Sequence, residues 1–281
     1  MDYDPYEFFE ENRDEDAERA KPFLEDLILQ QRAATDRELK VRLEKSFFPW
    51  VISRALNSME ESGIISRMGY PGRTSKKWRV PENFYVPYGT AYKDVAGIIE
   101  KKRETSRYVN AILTAHAPAG YHAENLFDAA FRLLGFKIHG REKSEFKGKK
   151  VAGVRGKDLP NLDFIIEKDN VIYGVDVKNW VKYERQTRFM VIAKVELAIQ
   201  LGIVPFIIAR YVDRDTIYKE IIEKKGLCYP YQMLLVPTSY ESLAREANAL
   251  LGYPILAVDS LPSYKVKFLQ KLHSRWLERN G

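Results

Sequence analysis

The sequence predicts an α/β protein: a mixed sheet flanked by helices, preceded by a smaller, mainly helical domain. Three observations predict it. The first eighty residues carry apolar stripes at helical spacing and then two short strand-like runs. From about residue 120, short β-rich runs alternate with helical patterns, which is the order that builds a sheet covered by helices. The chain has 281 residues and 45% hydrophobic content, enough for one large or two modest cores and too much for a disordered chain.

Residues 17–32 read as a helix through Phe23, Leu24, Leu27 and Ile28. Thr35 or Asp36 caps a short second helix, with Glu38 at the position a capping box uses. Pro49 suits the first turn of a third helix, running to Ser62, whose apolar stripe is Val51, Ile52, Ala55, Leu56 and Met59. Gly63 stops it. The following IISRMGYPGRTSKKWRV reads as two strands around a turn at Tyr70-Pro71-Gly72-Arg73. Three helices and a two-stranded ribbon with a basic tip resemble the winged helix-turn-helix family over residues 17–80. That resemblance implies DNA contact by the third helix, here through Arg54, and by a wing bearing Arg67, Arg73, Lys76, Lys77 and Arg79. Winged helices also dock proteins, and Glu60 and Glu61 leave base reading by the third helix open. Residues 81–119 are expected to hold a linker, Pro81 to Gly89, and a connecting helix of about 90–115.

Charge is unevenly spread. The formal total is +6, but residues 1–20 carry nine acids against two bases, a net of −7 that leaves +13 on the rest. Residues 1–16 are expected to form a flexible acidic leader. Basic clusters fall on the wing and on Lys137 to Lys157, where eight bases, among them Lys147, Lys149, Lys150 and Arg155, face only Glu142 and Glu145. Phosphate is the natural partner of such clusters, although charge alone is equally well explained by a solvated surface.

Residues 120–281 are expected to form the second domain. A helix at 121–134 precedes FKIHG, LDFII and VIYGVDVKNW. A helix of about 184–201, VPFIIAR, a helix of about 214–224, QMLLVP, a helix of about 239–250 and PILAVD follow. A last helix, about 263–279, places Val266, Leu269, Leu272, Trp276 and Leu277 on one side, fit for core packing or for a dimer contact.

The segment NLDFIIEKDNVIYGVDVKNW folds as a hairpin centered on Asp169-Asn170, a pair that tolerates positive φ. Asp163 then lies opposite Asp176, and Lys178 falls on the same face about 7 Å along the strand. Two carboxylates about 5 Å apart on one face repel each other and need a cation or a shared proton. Leu162, Phe164, Ile166, Val175 and Val177 take the opposite parity, so the charged trio interrupts an apolar hairpin. On helix 121–134 the stripe Phe127, Phe131, Leu134 is continued one turn earlier by Glu124, a carboxylate aimed at the core or a cleft unless it serves the helix dipole. Hard oxygen ligands of this kind suit Mg²⁺, with Mn²⁺ as a substitute. Phosphodiester hydrolysis is the reaction that fits Asp163, Asp176, Glu124 and a lysine.

Residues 120–210 resemble the PD-(D/E)xK, restriction-endonuclease-like nuclease superfamily, most closely its archaeal Holliday-junction-resolvase and Mrr-like branches. The likeness rests on Glu124 before Leu133-Leu134-Gly135-Phe136, on Asp163, on Asp176-Val177-Lys178 and on the order of elements. It implies Glu124, Asp163 and Asp176 as metal ligands, Lys178 as the catalytic lysine, and a Mg²⁺-dependent DNA endonuclease acting on duplex or branched DNA. Two departures stand: Pro160 precedes Asp163 by three residues rather than one, and the basic interval before it is long. Gln186 lies where some relatives place an auxiliary polar residue, although ordinary exposure also accounts for it. A homodimer is expected, because cutting two strands uses two sites. A non-enzymatic DNA-binding regulator and an RNA-processing nuclease are the alternatives.

Other chemistry is poorly supplied. Cys228 is a single thiol, His116, His122, His139 and His273 are dispersed, and no phosphate-loop motif occurs. No apolar run approaches a membrane span, and the acidic start lacks the features of a secretory signal. A cytoplasmic, nucleoid-associated location and no membrane partner are expected.

Overall fold

The computed structural model describes residues 13–69, 83–113, 118–150, 161–181 and 185–280. The chain is α/β with two compact units, one of residues 1–109 and 246–253 and the other of 110–245 and 254–281. Among the described residues no helix is long and apolar enough to cross a membrane.

In the first unit, α1 (Arg13–Gln31) buries Ala17, Ala20, Leu24 and Ile28, spaced three or four apart. Phe23, expected inside, is exposed, because the two alanines turn the buried face away from it. Residues 13–16 of the acidic segment belong to this helix, and the rest of the expected leader lies outside the described residues. After β1 (Ala34–Thr35), Thr35 caps α2 (Asp36–Leu43) in a full capping box: Glu38 N donates to Thr35 Oγ1 at 3.0 Å, and Thr35 N donates to Glu38 Oε2 at 3.4 Å. Helix α3 (Pro49–Glu61) buries all five residues of its predicted stripe. Each of the larger ones contributes about 1.5–3 kcal/mol relative to exposure. Gly63, at φ +68°, ends the helix in a conformation that strains other residues.

Strand β2 (Ile65–Met68) pairs antiparallel with β3 (Phe84–Pro87), which also pairs with β1, giving the order β1-β3-β2. This corrects the linker expected at Pro81 to Gly89. The run Phe84, Tyr85, Val86 is buried and aromatic or β-branched, and it packs as a strand despite its flanking prolines. The expected wing turn and residues 70–82 lie outside the described residues. Helix α4 (Tyr92–Leu113) matches the connecting helix, and the division between units falls at Val109. Its Lys102 is buried in the first unit, donating to Glu38 at 2.9 and 2.8 Å and to the Ala33 carbonyl at 2.8 Å.

The second unit opens with α5 (Pro118–Leu133), then β4 (Lys137–Lys143) and a short ribbon, β5 (Glu145–Phe146) with β6 (Lys149–Lys150). Strands β7 (Leu162–Lys168) and β8 (Val171–Lys178), helix α6 (Arg185–Leu201) and β9 (Val204–Ala209) follow. The expected helix 214–224 is a π-helical turn, Thr216–Ile222, started where Asp213 accepts from Thr216 N at 2.9 Å. Strand β10 (Leu227–Pro230), β11 (Leu234–Val236), α7 (Glu241–Leu251), β12 (Ile255–Ala257) and α8 (Ser263–Asn280) complete the chain. Residues 246–253, expected in the second domain, group with the first unit.

The main sheet has the order β10-β9-β8-β7-β4, parallel among β8, β9 and β10 and antiparallel at β7 and β4. One face packs Phe164, Ile166, Tyr173, Val175, Val177, Phe206 and Ile208 against Phe127 and Phe131 of α5 and Leu269 of α8. The other packs Ile165 and Leu162 against Leu197, Ala198 and Leu201 of α6, and Ile207 and Ala209 against Val191 and Val195. Leu162, expected on the face of Phe164 and Ile166, lies on the α6 face, beyond the point where regular β7–β8 pairing stops at Phe164.

Candidate active site

The β7–β8 hairpin has the register the sequence predicts, from Lys168 opposite Val171 to Phe164 opposite Val175. Asp169 and Asn170 both adopt positive φ, +49° and +61°. Regular pairing ends one step short of Asp163 and Asp176. There Val177 N donates to Asp163 Oδ2 at 2.6 Å, so a carboxylate replaces the backbone acceptor. The two acids sit at the start of β7 and near the end of β8, at the carboxyl edge of the parallel strands, where α/β sheets commonly open onto ligands.

Asp176 is fully buried. Lys178 Nζ donates to its Oδ1 at 2.8 Å and lies 3.9 Å from Asp163 Oδ2. Burial pushes the Asp163 carboxyl up to about 7, and the neighboring Asp176 charge adds to this against Lys178 and the Val177 amide. Burial alone would lower the Lys178 ammonium, but Asp176 and Asp163 reverse that and hold it above the ordinary lysine range. Glu124, on α5, is half-buried. Its carboxyl is raised first by burial, opposed by Lys178 and Arg141 and reinforced by Glu142 and Asp176. The predicted acids and lysine are thus electrostatically linked at one sheet edge.

Backbone contacts fix the lysine. Arg210 N donates to the Lys178 carbonyl at 2.9 Å, and the Tyr231 hydroxyl, 3.1 Å from it, shares its one proton between this carbonyl and Asn179 Oδ1. Asn179, next in sequence, spends its whole amide on the fold. Its Nδ2 donates to the Leu235 and Ala119 carbonyls at 2.7 and 3.0 Å, and its Oδ1 accepts from Tyr231 and Leu235 N, each at 2.9 Å.

Sequence reasoning missed one side chain of this cluster, Lys194. From the middle of α6 its Nζ stands 3.2 Å from Asp176 Oδ1, and it also donates to the Asn161 carbonyl and, at 3.3 Å, to Asn161 Oδ1. A readable signal existed: Val191, Ala198 and Leu201 form the buried stripe of α6, and Lys194 is the charged member at the same spacing. Gln186 is exposed.

The buried Asp176 Oδ2 has no hydrogen-bond partner among the described residues. A buried carboxylate oxygen with a free lone pair suits a cation, and Asp163 and Glu124 add hard oxygen donors nearby. No group of three or more histidine, cysteine, aspartate or glutamate side chains placed to hold a metal occurs among the described residues. Two carboxylates satisfy Mg²⁺, which keeps several waters and shares substrate phosphate oxygens.

The predicted nucleic-acid contacts are partly visible. Arg54 is exposed on α3. Arg67, on β2, is bound to Glu60 at 2.6 Å and to Asn57 at 3.0 Å, so part of its charge is spent within the unit. Lys147 and Lys149 are exposed on the β5–β6 ribbon, Lys147 with its ammonium over the Phe146 ring. Arg73, Lys76, Lys77, Arg79 and Arg155, and the Lys150 side chain, lie outside the described residues. His273, one of the dispersed histidines, is buried in α8, with Nδ1 2.8 Å from the Tyr173 hydroxyl and Nε2 2.9 Å from Asp169 Oδ2.

No protein-family model, curated protein or solved structure matches the chain.

Proposed function

We propose that the protein is a Mg²⁺-dependent DNA endonuclease with a restriction-endonuclease-like catalytic unit, in which Mn²⁺ can replace Mg²⁺. The observation that carries this reading is the Asp163–Asp176 pair at a sheet edge, bridged by Lys178 and leaving the buried Asp176 Oδ2 without a hydrogen-bond partner among the described residues. Asp176 and Asp163 would hold the ion, which supplies Lewis-acid stabilization of the phosphate and lowers the pKa of a bound water, while Glu124 adds negative charge that both aspartates feel.

The chain's own residues do the rest. The Lys178 ammonium, fixed through its carbonyl and kept protonated by the two aspartates, faces the reacting phosphate and stabilizes charge developing on its oxygens. Water adds to phosphorus as the bond to the leaving sugar oxygen breaks; a neighboring carboxylate takes the proton the water loses, and the leaving oxygen is protonated from solvent. Helices α1–α3 and the β1-β3-β2 sheet support a winged-helix reading, with Arg54 and Arg67 among the residues that would hold DNA. Lys147 and Lys149, exposed on the β5–β6 ribbon, would meet DNA phosphates.

The test is cleavage of plasmid and branched DNA by the full chain with Mg²⁺ or with EDTA. Cleavage only with metal, lost in Asp176→Ala and Lys178→Ala, is expected. Equal cleavage by both variants overturns the site. Metal-independent DNA binding without cleavage would return the reading to a non-enzymatic regulator, and preference for RNA over DNA of matched length would make it an RNA-processing nuclease.

A further inference from the structure

The carboxylate pair has more positive charge around it than one lysine supplies. Lys178 and Lys194 both address the same Asp176 oxygen, Oδ1, at 2.8 and 3.2 Å, while Oδ2 has no hydrogen-bond partner among the described residues. The two ammoniums differ in what else they hold. The contacts of Lys178 are the two aspartates themselves, and its backbone carbonyl is pinned by Arg210 N and Tyr231. Lys194 has two further acceptors, the Asn161 carbonyl and Asn161 Oδ1, at the start of β7. Withdrawing from Asp176 would therefore cost Lys194 one of three contacts and leave its ammonium solvated by the asparagine.

Electrostatics gives that difference a consequence. Two opposed carboxylates at a partly dry sheet edge repel each other unless cations neutralize them. Before any ion binds, Lys178 and Lys194 are the cations that offset the negative charge of the pair. A divalent ion arriving at the same carboxylates meets repulsion from both ammoniums, and the one with alternative partners is the one able to yield.

We propose that Lys194 is a displaceable counter-ion of the Asp163–Asp176 pair, which keeps the empty site together and sets its divalent-metal affinity below that of the bare carboxylates. The inference rests on the metal-dependent nuclease reading above. It assigns Lys194 a positioning role, exerted through Asp176, rather than contact with the reacting atoms. A purely structural clamp between α6 and β7 would use the same contacts but would make the opposite prediction for metal binding.

The experiment is calorimetric titration of Mn²⁺ into the full chain at fixed pH and salt, comparing wild type with Lys194→Gln, Lys194→Met and Asp176→Asn. Lys194→Gln keeps a donor for Asn161 and guards against a failure to fold, which circular dichroism melting checks. Both Lys194 variants are expected to bind Mn²⁺ about tenfold tighter, the size expected when a like charge a few ångströms away is removed from a partly screened site. Unchanged or weaker binding in the folded Lys194 variants overturns the proposal and leaves the metal site standing. Equal Mn²⁺ affinity in wild type and Asp176→Asn removes the nuclease reading itself, and the proposal falls with it.

Discussion

The Asp163 carboxylate accepts the Val177 backbone N–H at 2.6 Å, the place where β7–β8 pairing gives way to side-chain chemistry. One side chain thus does two jobs that pull apart. As an acceptor it completes the strand edge, and as a charge it repels Asp176. Asp163→Asn keeps an acceptor for Val177 and removes the repulsion, so its melting temperature in EDTA should equal or exceed that of wild type. Asp163→Ala strands the Val177 amide and should lose about 1–3 kcal/mol in urea unfolding. Both should be inactive in the metal-dependent cleavage assay. A fully active Asp163→Ala would remove Asp163 from the site.

Gly174 faces α6 on the strand that carries Asp176. A methyl group there would meet Leu162 Cδ1 at 2.7 Å, Ile203 Cδ1 at 3.0 Å and Ala198 Cβ at 3.1 Å. Overpacking of this kind costs about 1–3 kcal/mol. Gly174→Ala should unfold at lower urea concentration, with cleavage reduced because α6 carries Lys194. Wild-type stability in that variant would show that the three side chains repack without strain.

Lys102 and Glu38 form a buried ion pair in the first unit, with side chains 3% and 0% exposed. Lys102→Met leaves Glu38 buried and, apart from Arg42 at 3.2 Å, without its cation. The expected loss is about 3–5 kcal/mol, the range for breaking one side of a buried pair. Adding Glu38→Gln should recover much of it. A double variant no more stable than Lys102→Met alone would show that the loss comes from packing rather than from the stranded charge.

Asp169, in the hairpin turn, bonds His273, and this hydrogen bond holds its carboxyl below the usual aspartate range. A carboxyl depressed in the folded state adds stability above its unfolded value, and that stability is lost as pH falls through the folded value. Asp169→Asn should therefore melt below wild type at pH 6–7, and the gap should close as pH falls below the ordinary aspartate range. A gap that persists unchanged at low pH would show that His273 does not act through the Asp169 charge.

Local rules made much of this protein legible. The stripe of α3, the Thr35–Glu38 capping box and the Asp169-Asn170 turn each depend on residues within a few positions of one another. Their physics is complete in the sequence. The hairpin register followed from that turn, and with it the meeting of Asp163, Asp176 and Lys178. Where reading failed, distant partners decided. Phe84–Pro87 looks like a linker until β1 and β2 flank it, and His273 looks like one of the dispersed histidines until Tyr173 and Asp169, about a hundred positions earlier, close on it.

By itself, then, the sequence determined which strand pair carries the acids and which lysine follows them, because period-two alternation and turn geometry are local constraints. Only the tertiary structure decided how that charge is balanced. Packing of α6 on the sheet brings Lys194 to Asp176, eighteen positions earlier in the chain. It also leaves one oxygen of Asp176 buried without a hydrogen-bond partner among the described residues. Burial and through-space charge depend on what covers a strand, and no spacing along the chain encodes that cover.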